Sequence, residues 1–165
     1  MRTLFVVLLL ATFGCRTDPL APGFTTRLAH FGGCADVIFF AVDGSDEVMV
    51  TFRAEALVAA AREAGRETTT VIDLPAEGVE LIIEQGSRIS DATCDDVIEN
   101  RGPDVDRTWI ASSGTATVRI RPLDEFTGGR GDLLLENIVF TSSGGDELVL
   151  EELEWMDVSL GWYPG

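Results

Sequence analysis

Most of the chain alternates apolar and polar positions with the two-residue period of β-strands. Residues 35–42 (ADVIFFAV) are apolar on both faces after Asp36, the pattern of a central strand covered on both sides. Asp43-Gly44-Ser45-Asp46 is a turn cluster, and Val48, Val50 and Phe52 then share one face, so the two runs predict a hairpin. Strands are predicted again over 66–74, ended by Pro75, and over 79–84, where Val79, Leu81 and Ile83 alternate with Glu80, Ile82 and Glu84. Residues 115–121 alternate cleanly, with Ala116, Val118 and Ile120 inward and Thr117, Arg119 and Arg121 outward. Strands over 132–140, 147–153 and 155–162 complete the set, with a turn at 141–146 between the first two of these. Residues 86–107 are polar and turn-rich, and predict irregular chain apart from a helical turn near Cys94.

One stretch has the helical period instead. Over 53–64 (RAEALVAAAREA), Ala54, Leu57, Val58 and Ala61 fall on one face, and Gly65 is positioned to end the helix. At 165 residues the chain has room for one core, and no linker interrupts 24–165. The expectation is a single, mainly β domain: an antiparallel β-sandwich of immunoglobulin-like architecture with about 7–8 strands and one short helix. No Trp lies between Cys34 and Cys94, so the likeness to immunoglobulin domains is one of architecture only and implies no function.

The first residues follow a different logic. Met1-Arg2-Thr3 is a short basic start, and 4–11 (LFVVLLLA) is an unbroken apolar run. As a helix that run is about 12 Å long, far short of the roughly 30 Å needed to span a bilayer core. It is followed by Thr12-Phe13-Gly14-Cys15, and the whole has the design of a secretory signal. Gly14-Cys15 resembles the lipobox of bacterial lipoproteins, in which a small residue precedes a cysteine; Thr12 and Phe13 depart from the family's usual residues. The resemblance implies removal of 1–14, lipid attachment at Cys15 and a short tether over 15–23 carrying a single domain over 24–165. Several acyl chains would make the anchor stable where one is marginal. Arg16 rather than Asp follows the cysteine, which by the family's sorting rule favours the outer membrane.

Three cysteines are an odd number for an exported chain. With Cys15 lipidated, Cys34 and Cys94 remain as one pair, expected to be a disulfide in an oxidising compartment. Such a bridge would contribute about 4 kcal/mol in the chain-entropy treatment. A zinc site is the poorer account, because there is no CxxC and His30 is the single histidine.

The formal net charge is −16. That much negative charge repels nucleic acid and favours cations or a basic envelope protein as partner. All twelve basic residues are arginines, as a GC-rich coding sequence would produce without any functional demand.

Motifs that could carry chemistry are sparse. A Ser-His-Asp site would have to use His30, and no GxSxG elbow accompanies it. With 28 acidic residues, any carboxylate pair can be proposed for glycoside hydrolysis, so none is specific. Calcium is the cofactor to consider: Asp43 and Asp46 in one predicted loop and Asp95 and Asp96 in another supply the oxygens it takes, although no EF-hand spacing is present. Arg130-Gly131-Asp132 spells an adhesion tripeptide in a Gly-rich turn. Trp109, Trp155, Trp162 and Tyr163 could form a carbohydrate-stacking platform, or pack in the core. The expected function is that of a non-enzymatic envelope lipoprotein, an adaptor or structural domain; the alternative is a binding module for calcium or a small ligand such as carbohydrate.

Overall fold

The computed structural model describes residues 24–34, 38–94, 102–124 and 128–161. The strands are β1 (Leu28–Cys34), β2 (Ile38–Asp43), β3 (Val48–Arg53), β4 (Thr68–Leu74), β5 (Glu80–Ser87), β6 (Asp104–Asp124), β7 (Gly128–Ser142) and β8 (Glu147–Leu160). Helix α1 (Ala56–Ala64) joins β3 to β4, and 3-10 turns span Phe24–Arg27 and Ile89–Ala92.

All eight strands belong to one antiparallel sheet in the order β1-β2-β3-β5-β6-β7-β8, with β4 laddered to β6. β4 and β5 lie end to end along the same edge of β6: Leu74 faces Gly114, and Ile82 faces Ile110. Counted as one stave, they leave a seven-stave meander that curls until β1 approaches β8. With an odd number of alternating staves the first and last run in the same direction, so the antiparallel ladder joining all the others cannot close the gap. Side chains close it. The Trp155 ring on β8 meets Phe31 of β1 edge-on at 5.7 Å, and its Nε1–H donates to the Phe40 carbonyl of β2 at 2.9 Å.

The mainly β, antiparallel class expected from the sequence is therefore present, as a nearly closed barrel. The two separate sheets of an immunoglobulin-like sandwich are not what this pairing draws. The reason lies in β6, β7 and β8, which are long enough to run through both halves of the body and join them into one sheet.

Those three strands share a crease. On β6 the inward residues are Trp109 and Ala111, then Ala116, Val118 and Ile120; on β7 they are Leu133 and Leu135, then Ile138 and Phe140. On β8, Leu150 is followed by Leu153 and Trp155. In each strand the two-residue period slips by one at the same level. Gly114 (φ 123°) and Asn137 (φ 53°) mark the slip, and a Cβ at position 114 would lie 2.7 Å from the Ile138 Cα. The register shifts on both sides of Ser113 bend β6 where it exchanges β5 for β4 as its partner.

The barrel interior is one apolar cluster built from every strand and from Ala61 of α1. The helix starts three residues later than expected, because Arg53 still belongs to β3 and Ala54 is in the core. It ends at Gly65, whose left-handed conformation (φ 59°) lets its N–H reach the carbonyls of Ala61 and Arg62.

A second, smaller cluster lies on the outside. Val42 and Met49, with Phe40 beside them, are covered by Ile89 of the 3-10 turn. Residues 88–94 form a strap across β3 and β2. The Ile89 and Ser90 amides donate to the backbone carbonyl and the carboxylate of Asp46, Thr93 Oγ1 donates to Met49 Sδ, and Cys94 is bonded to Cys34 on β1. The part of 86–107 expected to be irregular thus includes the end of β5, this strap and the start of β6. Two further corrections concern strand count. β1 was not anticipated, and the runs 147–153 and 155–162 are one strand, β8, ending at Leu160.

Candidate functional site

The most distinctive surface follows from the crease. Because the period slips on β8, Glu151 and Glu152 are consecutive and both exposed, and Glu154 is exposed beyond them. Glu152 sits directly across the ladder from Glu136 of β7. Like charges in that position repel and cost stability, and no described arginine pairs with any of these four carboxylates. On the same strand Val149 is 65% and Met156 64% exposed, so apolar side chains interrupt the row of acids. The strands expected over 147–153 and 155–162 divide this Glu-Glu-Leu-Glu run and give its acids no special place. The signal available was its position between buried Leu150 and Trp155 in a strand, where two adjacent acids cannot both alternate with the core.

Farther along β6, β7 and β8 the charges are balanced instead. Arg121 Nη2 donates to Asp132 Oδ1 at 2.7 Å and lies 3.3 Å from Asp157 Oδ1. Arg130 donates from Nε to Asp157 Oδ1 at 3.0 Å and from Nη1 to Ser159 Oγ at 2.6 Å. Arg119 reaches Asp132 at 3.8 Å and Glu67 at 3.9 Å. The hydrogen bond from Arg130 holds the Asp157 carboxyl below its ordinary range, against a small opposing effect of burial and with help from the charges of Arg130 and Arg121.

This network also settles the adhesion tripeptide. Arg130, Gly131 and Asp132 lie within β7, neither in a turn nor in a loop. Asp132 is 9% exposed and accepts the Asp157 amide at 2.8 Å as well as Arg121, and a Cβ on Gly131 would come within 2.7 Å of the Phe39 ring. The tripeptide is part of the barrel wall.

Of the calcium candidates, Asp43 and Asp46 are described, and both carboxylates already serve the backbone. Asp43 Oδ1 accepts the Glu47 and Val48 amides at 2.8 and 3.1 Å, and its Oδ2 accepts the Ser45 hydroxyl at 2.8 Å. Burial pushes the Asp43 carboxyl up, but these hydrogen bonds and the charge of Arg27 outweigh it and leave it below its ordinary value. Asp46 accepts the Ser90 amide. Asp95 and Asp96 lie outside the described residues, and among those described no three acids, histidines or cysteines converge on a metal-sized site.

Trp109 and Trp155 are each 1% exposed, so neither offers a face to a sugar. Trp162 and Tyr163 are outside the described residues, as is Cys15. His30 is exposed on β1, opposite Val42. Arg107 stacks over Trp109 at 5.2 Å and pairs with Asp146 at 3.2 Å, bordering an open groove of about 540 Å³ beside the β7–β8 turn. The Cys34–Cys94 disulfide expected from the cysteine arithmetic is formed, and it fits an oxidising compartment.

No protein-family profile matches the chain, and no curated protein or solved structure is significantly similar to it.

Proposed function

We propose that this chain is a non-enzymatic, lipid-anchored adaptor of the bacterial envelope, whose acidic face on β7 and β8 docks a basic partner protein. The observation that carries the reading is the juxtaposed Glu136 and Glu152, with Glu151 and Glu154 beside them and bare Val149 and Met156 on the same strand. A partner that places guanidinium or ammonium groups against these acids would relieve their mutual repulsion. The exposed apolar side chains would supply contact area that charge alone lacks. The surrounding arginines are consumed by acids of their own, so the field that such a partner meets is negative.

The anchor is the other half of the proposal. With Cys34 and Cys94 joined, Cys15 is the one thiol left, and it follows Gly14 at the end of the apolar run. Arg16 in the next position favours the outer membrane.

The test is a crosslinking pull-down of the protein from native membranes, with Cys15→Ala and a Glu151→Gln/Glu152→Gln/Glu154→Gln variant in parallel. The expected result is one abundant basic partner. It should be lost with the anchor and weakened several-fold by the triple variant and by added salt. Absence of a specific partner, or capture indifferent to the three glutamates, would overturn the adaptor reading. Mass analysis of the amino-terminal peptide checks the lipid independently.

A further inference from the structure

We infer that the free edge of β4 pairs with β4 of a second copy of this chain, joining two barrels through a continuous sheet. Strand β4 is laddered to β6 along one edge, and its other edge carries no ladder among the described residues. An unladdered strand offers a row of unpaired N–H and C=O groups, and natural sheets usually blunt such a row with charge, proline or a bulge. β4 has no proline or bulge within it and a single charge, Asp73, near its end: Thr-Thr-Thr-Val-Ile-Asp-Leu is β-branched through its centre and unbroken.

The occupant follows from charge and symmetry. Two copies at −16 each repel, so a shared edge must be one that brings few acids together. Pairing along β8 would set its exposed glutamates against their own copies. Antiparallel pairing of β4 about a two-fold axis at Val71 instead sets Thr69 against Asp73, Thr70 against Ile72 and Val71 against itself. The single carboxylate then meets a hydroxyl rather than another carboxylate. The same axis accounts for Val71, which is 65% exposed at the middle of an otherwise well-patterned strand and would be covered by its own copy. A ladder of this length is small for an interface, so the dimer forms weakly in solution and more fully where an anchor confines copies to a surface.

Two measurements test this on the purified full chain in density-matched detergent. In sedimentation equilibrium, the wild-type mass should climb toward twice the monomer's as concentration rises. Val71→Lys should stay monomeric with an unchanged far-ultraviolet spectrum, while Ile110→Lys, at a comparably exposed apolar position on β6, should behave as wild type. In the second measurement, mild oxidation of Val71→Cys should yield a covalent dimer. Thr69→Cys should yield no more than wild type oxidised in parallel, because position 69 faces position 73 of the copy. A wild-type chain monomeric at every concentration overturns the inference. So does a Val71→Lys chain that still dimerises, or Thr69→Cys crosslinking as well as Val71→Cys.

Discussion

Across β2 and β3 the outer face of the sheet is apolar and covered; across β7 and β8 it is acidic and bare. Val42 and Met49 lie beneath a strap tied to β1 by a disulfide, whereas Val149 and Met156 stand in solvent at either end of the glutamate run 151–154. Both faces belong to one sheet, so the difference is set by the side chains and by what the chain lays over them. Where an apolar outer face must be hidden, the fold uses residues 88–94 to hide it. Where the outer face is charged, the fold leaves it open, and even the few apolar residues there remain uncovered.

That contrast can be broken first at its covalent fastening. Cys34→Ser combined with Cys94→Ser should cost about 4 kcal/mol by urea unfolding, as expected for a bridge spanning 60 residues, and should raise dye binding to the uncovered Met49 cluster. An unchanged midpoint would mean the strap holds without its bridge. Next, Met49→Ala should destabilise by about 3 kcal/mol, while Met156→Ala should stay within about 0.5 kcal/mol. Equal losses at the two methionines would erase the distinction between the faces.

A smaller effect is expected at the turn beneath the strap. Asp43→Ala leaves two amides short of an acceptor, Val48's in a buried setting, and should cost about 2 kcal/mol at neutral pH. Because the folded carboxyl titrates below its unfolded value, this contribution is complete above the unfolded value. It is lost as pH falls through the folded one, so wild type and variant should converge in acid. The smallest change sharpens the comparison from the covered side. Glu84, across the ladder from Met49, has its carboxyl raised by burial, against the opposing charge of Arg53 and with a further push from Glu80. A raised carboxyl penalises the ionised native state, so the penalty is absent below the unfolded value and grows as pH rises through the folded one. Glu84→Gln should therefore gain up to about 0.5 kcal/mol at neutral pH and nothing in acid.

The alternation reads most clearly in segments that lie on one side of the crease. Ala116, Val118 and Ile120 are buried as their spacing predicts, and so are Val48, Val50 and Phe52. Where a strand crosses the crease the period slips, so the run on one side no longer predicts the face of the run on the other; β7, expected over 132–140, spans the slip all the same. The clean alternation over 115–121 therefore does not extend into the first half of β6, which contains buried Trp109, and the two runs expected on either side of Glu154 are one strand whose slip lies earlier, at Glu151 and Glu152. Strand β1 was hidden for another reason. Gly32 and Gly33 carry no side chain to alternate, and the space above Gly32 is filled by the Phe40 ring from β2. The expected total of about eight strands agreed because one strand was missed and another counted twice. Of the site, the disulfide was legible from arithmetic alone. The glutamate face was not, because composition makes acids common here and only the pleat shows that Glu152 opposes Glu136.

The odd number of staves has a kinetic consequence. A fully laddered barrel has no preferred place to come apart, but this one has a parting line where β1 and β8 run side by side in the same direction without a shared ladder among the described residues. Among the described residues no ladder protects the amide protons on those two facing edges, where Trp155 packs against Phe31, and they should exchange with deuterium ahead of those in the ladders between β6 and β7. The exchange map would trace a single fast line down one side of an otherwise slow wall.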